Sequence, residues 1–381
     1  MVLGCWLSVE NACQKSAGGR EFAAATDLAR RLGRYNEGMV KGGAHYSSEE
    51  LVKVLSHYDI GVVHRVTPLK GGDRRAPKVV VTADKGTFLL KRRPHGLDNL
   101  ARVAFAHTVQ KRLAERSFPV TTLLATVDDG TTALSLEKHI YEFFRFVEGS
   151  RCDGSAEATR EAGRQLALFH KHVARLNTVG GVAPDACFHD STTVRRHLKL
   201  ISSGRRTGFR HKSRAVVESL LVRYNRSSDR VNRFGFATWK RQVIHGDWHP
   251  GNLLFSGGRI VAVLDFDSIR VAPPPTDLAN GMLQFSIVGE QTDPAGWPDR
   301  FDQVRLLEFL NGYREVTKLS QRKLHSLIDL MIETMIAEAV LPVAATGFFG
   351  QHSGLSFLDM IVRKTKWLRR RRRELTQAML T

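Results

Sequence analysis

Gln242 to Phe255 reads QVIHGDWHPGNLLF, and IVAVLDFD follows over 260–267. Two apolar, strand-like runs enclose a polar loop, inside a chain that from Gly149 onward otherwise carries helical spacing. Pro250-Gly251 explains a turn. It does not explain the His, the carboxylates and the amide placed around it.

The run NLLF (252–255) can pair with IVAVLD (260–265) through a turn at Ser256-Gly257-Gly258-Arg259. Asn252 would open the first strand and Asp265 close the second. Antiparallel pairing would then set them face to face, with Cα atoms about 4.5–5.5 Å apart. An amide oxygen and a carboxylate converging there suit Mg²⁺ held jointly with phosphate oxygens. Asp247, just upstream at the same end, is placed to orient a hydroxyl nucleophile. One base and two metal ligands make a phosphoryl-transfer site. Asp and Asn are also ordinary loop residues. However, chance supplies H-x-D-x-x-x-x-N with a further Asp at thirteen in roughly one chain of this length in several hundred. The spacing is read as chemistry.

The rest of the chain fits around that hairpin. At 381 residues it can hold two or three domains with full cores. An N-terminal extension over 1–46 lacks a strong period and is expected to be disordered. It reads either as a flexible arm or as sequence preceding a natural start at Met39. Ser47-Ser48-Glu49-Glu50 then caps an amphipathic helix. From Gly61 the pattern turns to β: GVVHRVTPL, KVVVTADKG and TFLLKRR, with Asp84-Lys85-Gly86 as a hairpin turn. A helix from an Asp98 N-cap to Arg116, then VTTLLATV and TALSLEKHIYEFFRFVEG, complete a small lobe over 47–148. That lobe is five antiparallel strands carrying a single helix. Residues 149–381 form a larger helical lobe, with helices at 157–176 and near 190–202, 212–226, 301–318, 321–340 and 354–379. The fold class is α+β.

The hairpin resembles the catalytic segment of the aminoglycoside phosphotransferase and choline kinase group, within the protein-kinase-like bilobal fold. His245-Gly246-Asp247 matches that group's HGD, His249-Pro250-Gly251-Asn252 its HPGN, and TDLAN with Asp277 its downstream D-[LI]-A. The likeness runs from about Ser47 to Tyr313, and it favours homoserine-kinase-like and spore-coat-type members. HRD, DFG and APE are absent, which favours a small-molecule kinase and leaves protein kinase activity as the alternative within the class. The resemblance implies an ATP- and Mg²⁺-dependent kinase of a metabolite hydroxyl. Asp247 would be the catalytic base, Asn252 and Asp265 the metal ligands, and Asp277 the anchor of the catalytic loop. His245 would brace that loop, and His170 would be a buried, satisfied histidine.

On the nucleotide side, Lys91 at the end of TFLLK takes the place of the lysine that holds the α/β-phosphates. Gly71-Gly72 would cover the phosphates with free backbone N–H groups. Phe144 and Phe146, in the link YEFFRFVEG, would stack on adenine. The expected glutamate partner of Lys91 is missing: NLARVAFAHTVQKRLAER has no acid before Glu115, and Ala106 or His107 stands in its place.

The net charge of +19 points to acidic partners. From Arg195 to Arg241 there are fourteen Lys or Arg against Glu218 and Asp229 alone. In the kinase reading this basic segment walls the acceptor pocket and favours a neutral or anionic acceptor over a polycation. The run RRRRR at 369–373 and the missing helix glutamate instead support a pseudokinase or nucleic-acid-associated binding protein. The stretch LIDLMIETMIAEAVLPVAA (327–345) carries three acids and a proline, so it reads as a buried helix and not a membrane span. Cys5, Cys13, Cys152 and Cys187 show no metal or disulfide spacing, which suits free thiols in a reducing cytoplasm.

Overall fold

In the computed structural model, the described residues are 44–69, 75–176, 187–203, 212–289 and 293–381. Most of the expected extension and the Gly71-Gly72 loop lie outside them. The chain divides into two compact units, with the boundary between Glu148 and Gly149.

The first unit is built on a five-stranded antiparallel sheet of order β1-β2-β3-β5-β4. Its strands are β1 (Val63–Pro68), β2 (Lys78–Ala83), β3 (Gly86–Arg92), β4 (Ala133–Leu136) and β5 (His139–Arg145). Two helices accompany it, α1 (Ser48–Leu55) and α2 (Leu100–Ala114). Ser47 forms the expected capping box: its hydroxyl accepts from Glu50 N, and its own N–H donates to Glu50. The helix buries Leu51, Val54 and Leu55 against Val79, Val81, Phe88, Leu90, Tyr141 and Phe143. Tyr46, expected in the extension, is fully buried in that same core and donates to Pro77 O. Strand residues alternate faces, so Ile140 and Glu142 point away from this core. Ile140 clusters with Val103 of α2.

Two details differ from expectation. The N-cap of α2 is Asn99, which accepts from Arg102 N, because Asp98 is already engaged with Gly96 N in the preceding turn. The run 120–127 is not a regular strand. It extends the line of β4 through Leu124 N to Phe143 O and Arg145 N to Thr122 O. The fifth strand arises because Glu137-Lys138 turns the last β run back on itself.

The second unit is mainly helical: α3 (Ala156–Val173), α4 (Thr192–Ser202), α5 (Lys212–Arg233), α6 (Pro274–Ser286), α7 (Gln303–Arg314), α8 (Gln321–Thr346) and α9 (Gly354–Leu380). Between α5 and α6 lie two small antiparallel pairs. One joins β6 (Gln242–Ile244) to β9 (Arg270–Ala272), and the hairpin joins β7 (Leu253–Ser256) to β8 (Arg259–Val263). A further two-residue pair, β10 (Phe348–Phe349) and β11 (His352–Ser353), links α8 to α9. Helix α6 went unread in the sequence because Pro273-Pro274-Pro275 looks like a breaker. Proline at the first helical position costs no hydrogen bond and starts the helix well.

The buried helix expected over 327–345 is α8, and its three acids are all engaged. Asp329 pairs with Arg230, Glu333 with His189 and Ser228, and Glu338 accepts from Gln284. Among the described residues no helix is long and apolar enough to cross a membrane.

Helices α3 and α7 approach at backbone distance. A Cβ on Gly163 would stand 1.9 Å from Phe309 O, and one on Gly312 would stand 1.9 Å from Arg160 O. Only glycine permits this crossing. Gly163→Ala must push the helices apart, and overpacking of this kind costs ~1–3 kcal/mol. The melting temperature should fall by several degrees in a thermal scan. An unchanged midpoint would show that the two helices are not so closely packed.

Candidate active site

The loop between β6 and β7 is held by one buried carboxylate. Asp277, in the first turn of α6, is 1% exposed and accepts from His245 N at 2.9 Å and Gly246 N at 3.0 Å. His170 Nε2 adds a third bond at 3.1 Å, and its Nδ1 lies 2.9 Å from the Tyr313 hydroxyl. Burial works to raise the Asp277 pKa, but the hydrogen bond from His170, together with the other positive groups around it, holds the carboxyl below its usual value. Gly246 passes through a φ of +79°, and a Cβ there would meet Ser268 O at 2.4 Å. No other residue fits at that position.

His245 is fully buried and spans the loop. Its Nε2 donates to Leu264 O at 3.1 Å, and its Nδ1 accepts from Asp247 N at 3.3 Å. Burial lowers its pKa, so it stays neutral and braces the loop as expected. Its ring packs edge-on against Trp248 and Phe266.

Asp247 is thereby set at the loop's apex, 6% exposed. Asn252 Nδ2 donates to its backbone oxygen at 2.9 Å and to Oδ2 at 3.3 Å, while Oδ1 is buried without a hydrogen-bond partner. His249 Nε2 is 3.7 Å from Oδ1, beyond hydrogen-bond reach. Burial pushes the His249 imidazole down to about 4, so it is neutral there. The Asp247 carboxyl is pushed well above the usual carboxylate range, first by burial and then by the charges of Asp265 and Glu338.

The hairpin register differs from the expected one. Asn252 belongs to a short turn, Pro250–Asn252, and its carbonyl accepts from Leu264 N at 2.9 Å. Asn252 therefore faces Leu264, and Asp265 falls one residue past the ladder. There it adopts a left-handed φ of 57° and is exposed, while Phe266 beside it is buried. A non-glycine residue in that region is uncommon and is held by its surroundings.

The oxygen donors here fit a hard divalent cation. Asn252 engages its amide nitrogen and keeps its oxygen for another partner. Two carboxylates, Asp247 and Asp265, repel each other across the site, a cost that a cation would remove. Among the described residues no three His, Cys, Asp or Glu could hold a metal by themselves. A cation at this site would therefore draw further oxygens from its ligand.

In the first unit, the missing helix glutamate has a replacement that sequence reasoning overlooked. Lys91 lies directly across from Glu142 in the β3–β5 ladder, with Nζ 3.8 Å from Oε2. Glu142 is 1% exposed. Arg93 grips it with two bonds of 2.9 Å, and His107 Nε2 reaches Oε1 at 2.7 Å. Burial would raise the Glu142 pKa, but Lys91, His107 and Arg93 together drive it well below the usual range. The helix position thus carries a histidine that binds the strand's acid. The signal was present in YEFF, where cross-strand pairing puts an acid opposite a lysine. Phe144 is buried on β5, and Phe146 is half-buried just beyond it, donating its N–H to Thr87 O.

Comparison with known proteins gives the chain a family and its fold a set of relatives. The family described as phosphotransferase enzyme family matches residues 65–321, well over half of the chain. The chain belongs to that family and is a small-molecule phosphotransferase of the protein-kinase-like fold. Solved structures with the same fold include a microcompartment-associated aminopropanol kinase, with 15% identity, TM-score 0.63, and coverage of 85% of this chain and 97% of that one. An amicoumacin kinase, solved with AMP-PNP, Ca²⁺ and its antibiotic, shares 15% identity at TM-score 0.60, over 87% and 94% of the two chains. An aminoglycoside phosphotransferase from Alicyclobacillus acidocaldarius gives 15% and 0.60, over 86% and 94%. No curated protein matches the sequence.

Because Glu142 neutralises buried cations, Glu142→Ala should destabilise the protein by ~3–5 kcal/mol, the usual result of orphaning a buried charge. Chemical denaturation followed by circular dichroism measures this. A loss below about 1 kcal/mol would mean that Lys91 and Arg93 find other partners.

Proposed function

We propose that the protein transfers the γ-phosphate of ATP to a hydroxyl of a small, neutral or anionic metabolite. The buried, unpartnered Oδ1 of Asp247 carries this reading. A buried acceptor left without a donor is costly, and an incoming hydroxyl would supply the donor. The hydroxyl proton would pass to Asp247 as the acceptor oxygen bonds to phosphorus, and the bond to the β-phosphate oxygen would break to release ADP.

Asn252 and Asp265 would hold Mg²⁺, which on binding would neutralise phosphate charge. Lys91, fixed by Glu142, would hold the α/β-phosphates, and Phe144 and Phe146 would take the adenine. Gly71 and Gly72, assigned to the phosphates, lie outside the described residues. The acceptor's charge rests less on the basic segment than its composition suggests. Arg195 donates to Asn225 of α5, Arg230 pairs with Asp329, and Arg223 donates to Val362 O and Thr365. These cations fasten the helices. A cytoplasmic setting is supported by Cys152 and Cys187 being free thiols.

Asp247→Asn keeps the loop's shape and removes the proton acceptor. Turnover should fall ~10²–10⁴-fold while nucleotide binding persists. Turnover within a few-fold of the parent would assign the base elsewhere.

The two proposed metal ligands should also rank. Asp265 offers charge and coordination, whereas Asn252 offers only a neutral oxygen. Calorimetric titration with MgATP should show Asp265→Ala losing more affinity than Asn252→Ala. If both variants bound like the parent, the metal assignment would fail.

A further inference from the structure

Helix α9 carries a stripe of unopposed positive charge. Lys366, Arg369, Arg370 and Arg373 are all exposed. Their spacing of i, i+3, i+4 and i+7 puts them on one helical face, over a span of about 10 Å. Among the described residues none of the four side chains has an ion pair or a hydrogen bond. Their neighbours on the helix differ. Arg371 pairs with Glu374, Arg372 reaches toward Asp329 of α8, and Lys364 donates to the carbonyls of Val288 and Pro298. Those contacts account for the structural part of the basic run and leave the stripe without one. A helix C-terminus favours cations, but only within the last turn, and the last turn of α9 holds none.

Like charges crowd around the stripe. Arg223 of α5, fixed by Val362 O and Thr365 Oγ1, has its pKa lowered by burial and then by the charge of Arg369. Burial also lowers Arg372, Asp329 works against this, and Arg230, Arg373 and Arg369 add to it. The acids nearby are already engaged: Asp329 by Arg230, Glu374 by Arg371 and Glu218 by Arg214. Asp229 stands between Arg226 and Arg233 at helical spacing on α5, so it does not offset α9. A bound anion would relieve this repulsion.

The kind of anion follows from what surrounds the charge. A bilayer is held by apolar side chains as well as by basic ones, yet Phe357, Leu358, Ile361, Leu368, Leu375 and Met379 of α9 are all buried. Val222 is the one exposed large apolar side chain on α5 or α9. A single strand needs free aromatic faces on which its bases stack, and Trp367 is engaged by Arg371 and Phe301. A duplex needs neither. Its phosphates recur at about 3.4 Å per step along each strand, so the stripe matches about three of them, and guanidinium forks suit phosphate oxygens. We propose that the exposed face of α9 is a docking surface for the phosphate backbone of a nucleic-acid duplex, engaged without regard to base sequence. The stripe shares no residue with the Asp247 loop, so this does not rest on the kinase reading.

Fluorescence anisotropy of a labelled DNA duplex of about 20 base pairs, titrated with the full chain, tests the proposal. Binding should be micromolar at ~50 mM salt and weaken roughly 100-fold by ~200 mM, the dependence of about four phosphate contacts. Arg369→Gln, Arg370→Gln and Arg373→Gln should each lower the salt slope by about one, and the three together should weaken binding at least ~10-fold. Lys111→Gln, Arg116→Gln and Lys138→Gln together remove as many exposed charges from the first unit and should leave the affinity unchanged. Thermal melts establish that the variants are folded, and the single substitutions carry the test if the triple one is not. Equal losses in the two triple variants would assign the binding to net charge and overturn the proposal. So would an absence of duplex binding at ~50 mM salt. Tighter binding to vesicles containing ~30% phosphatidylserine than to the duplex, in the same buffer, would give the stripe to a membrane surface instead.

Discussion

The helical unit's chemistry depends on one buried carboxylate. Asp277 takes two consecutive backbone N–H groups, from His245 and Gly246, and a histidine whose other nitrogen meets Tyr313. Three helices, α3, α6 and α7, are thereby tied to a single turn of loop. Consecutive N–H groups aimed at one carboxylate also force the backbone bend that Gly246 alone can make. Asp247 projects from that bend, so its position follows from packing well behind it. Charge-assisted bonds of this kind are roughly twice as strong as neutral ones, and here they are shielded from water.

How much of this could be read in advance followed from how local each determinant is. The HGD–HPGN segment was legible from its short spacings, and the Asp277 anchor and the bracing role of His245 from the resemblance that segment carries. So were the other helices of the second unit, α6 excepted, whose apolar periods are long. Asp265 was assigned to the right end of the hairpin but to the wrong partner. A short turn at Pro250–Asn252 shifts the ladder by one residue, and no pattern in NLLF announces it. Helix α6 was hidden by three prolines that read as a stop and act as a start.

The charge of the chain has a similar lesson. A surplus of +19 invited a polyanion partner. Some of the helical unit's cations also hold its helices together: Arg223 on the backbone of α9, Arg230 on Asp329 of α8, and Lys364 on the carbonyls of Val288 and Pro298. Arginine suits this work, since its planar fork bonds carbonyls and carboxylates at helix crossings while staying charged.

The treatment of Lys91 shows the same economy in the sheet. A lysine braced from a helix is positioned only as well as that helix is docked. Here Glu142 sits on the neighbouring strand, directly across the ladder, so strand register alone sets where Lys91 can reach. Arg93 and His107 then hold the acid from two further directions, and the helix contributes through a histidine rather than a carboxylate. Moving α2 would cost Glu142 one hydrogen bond and leave the strand pair in place. The absent helix glutamate, which raised the question of a pseudokinase, therefore does not leave the lysine without its acid. The same pairing has been rebuilt within the sheet.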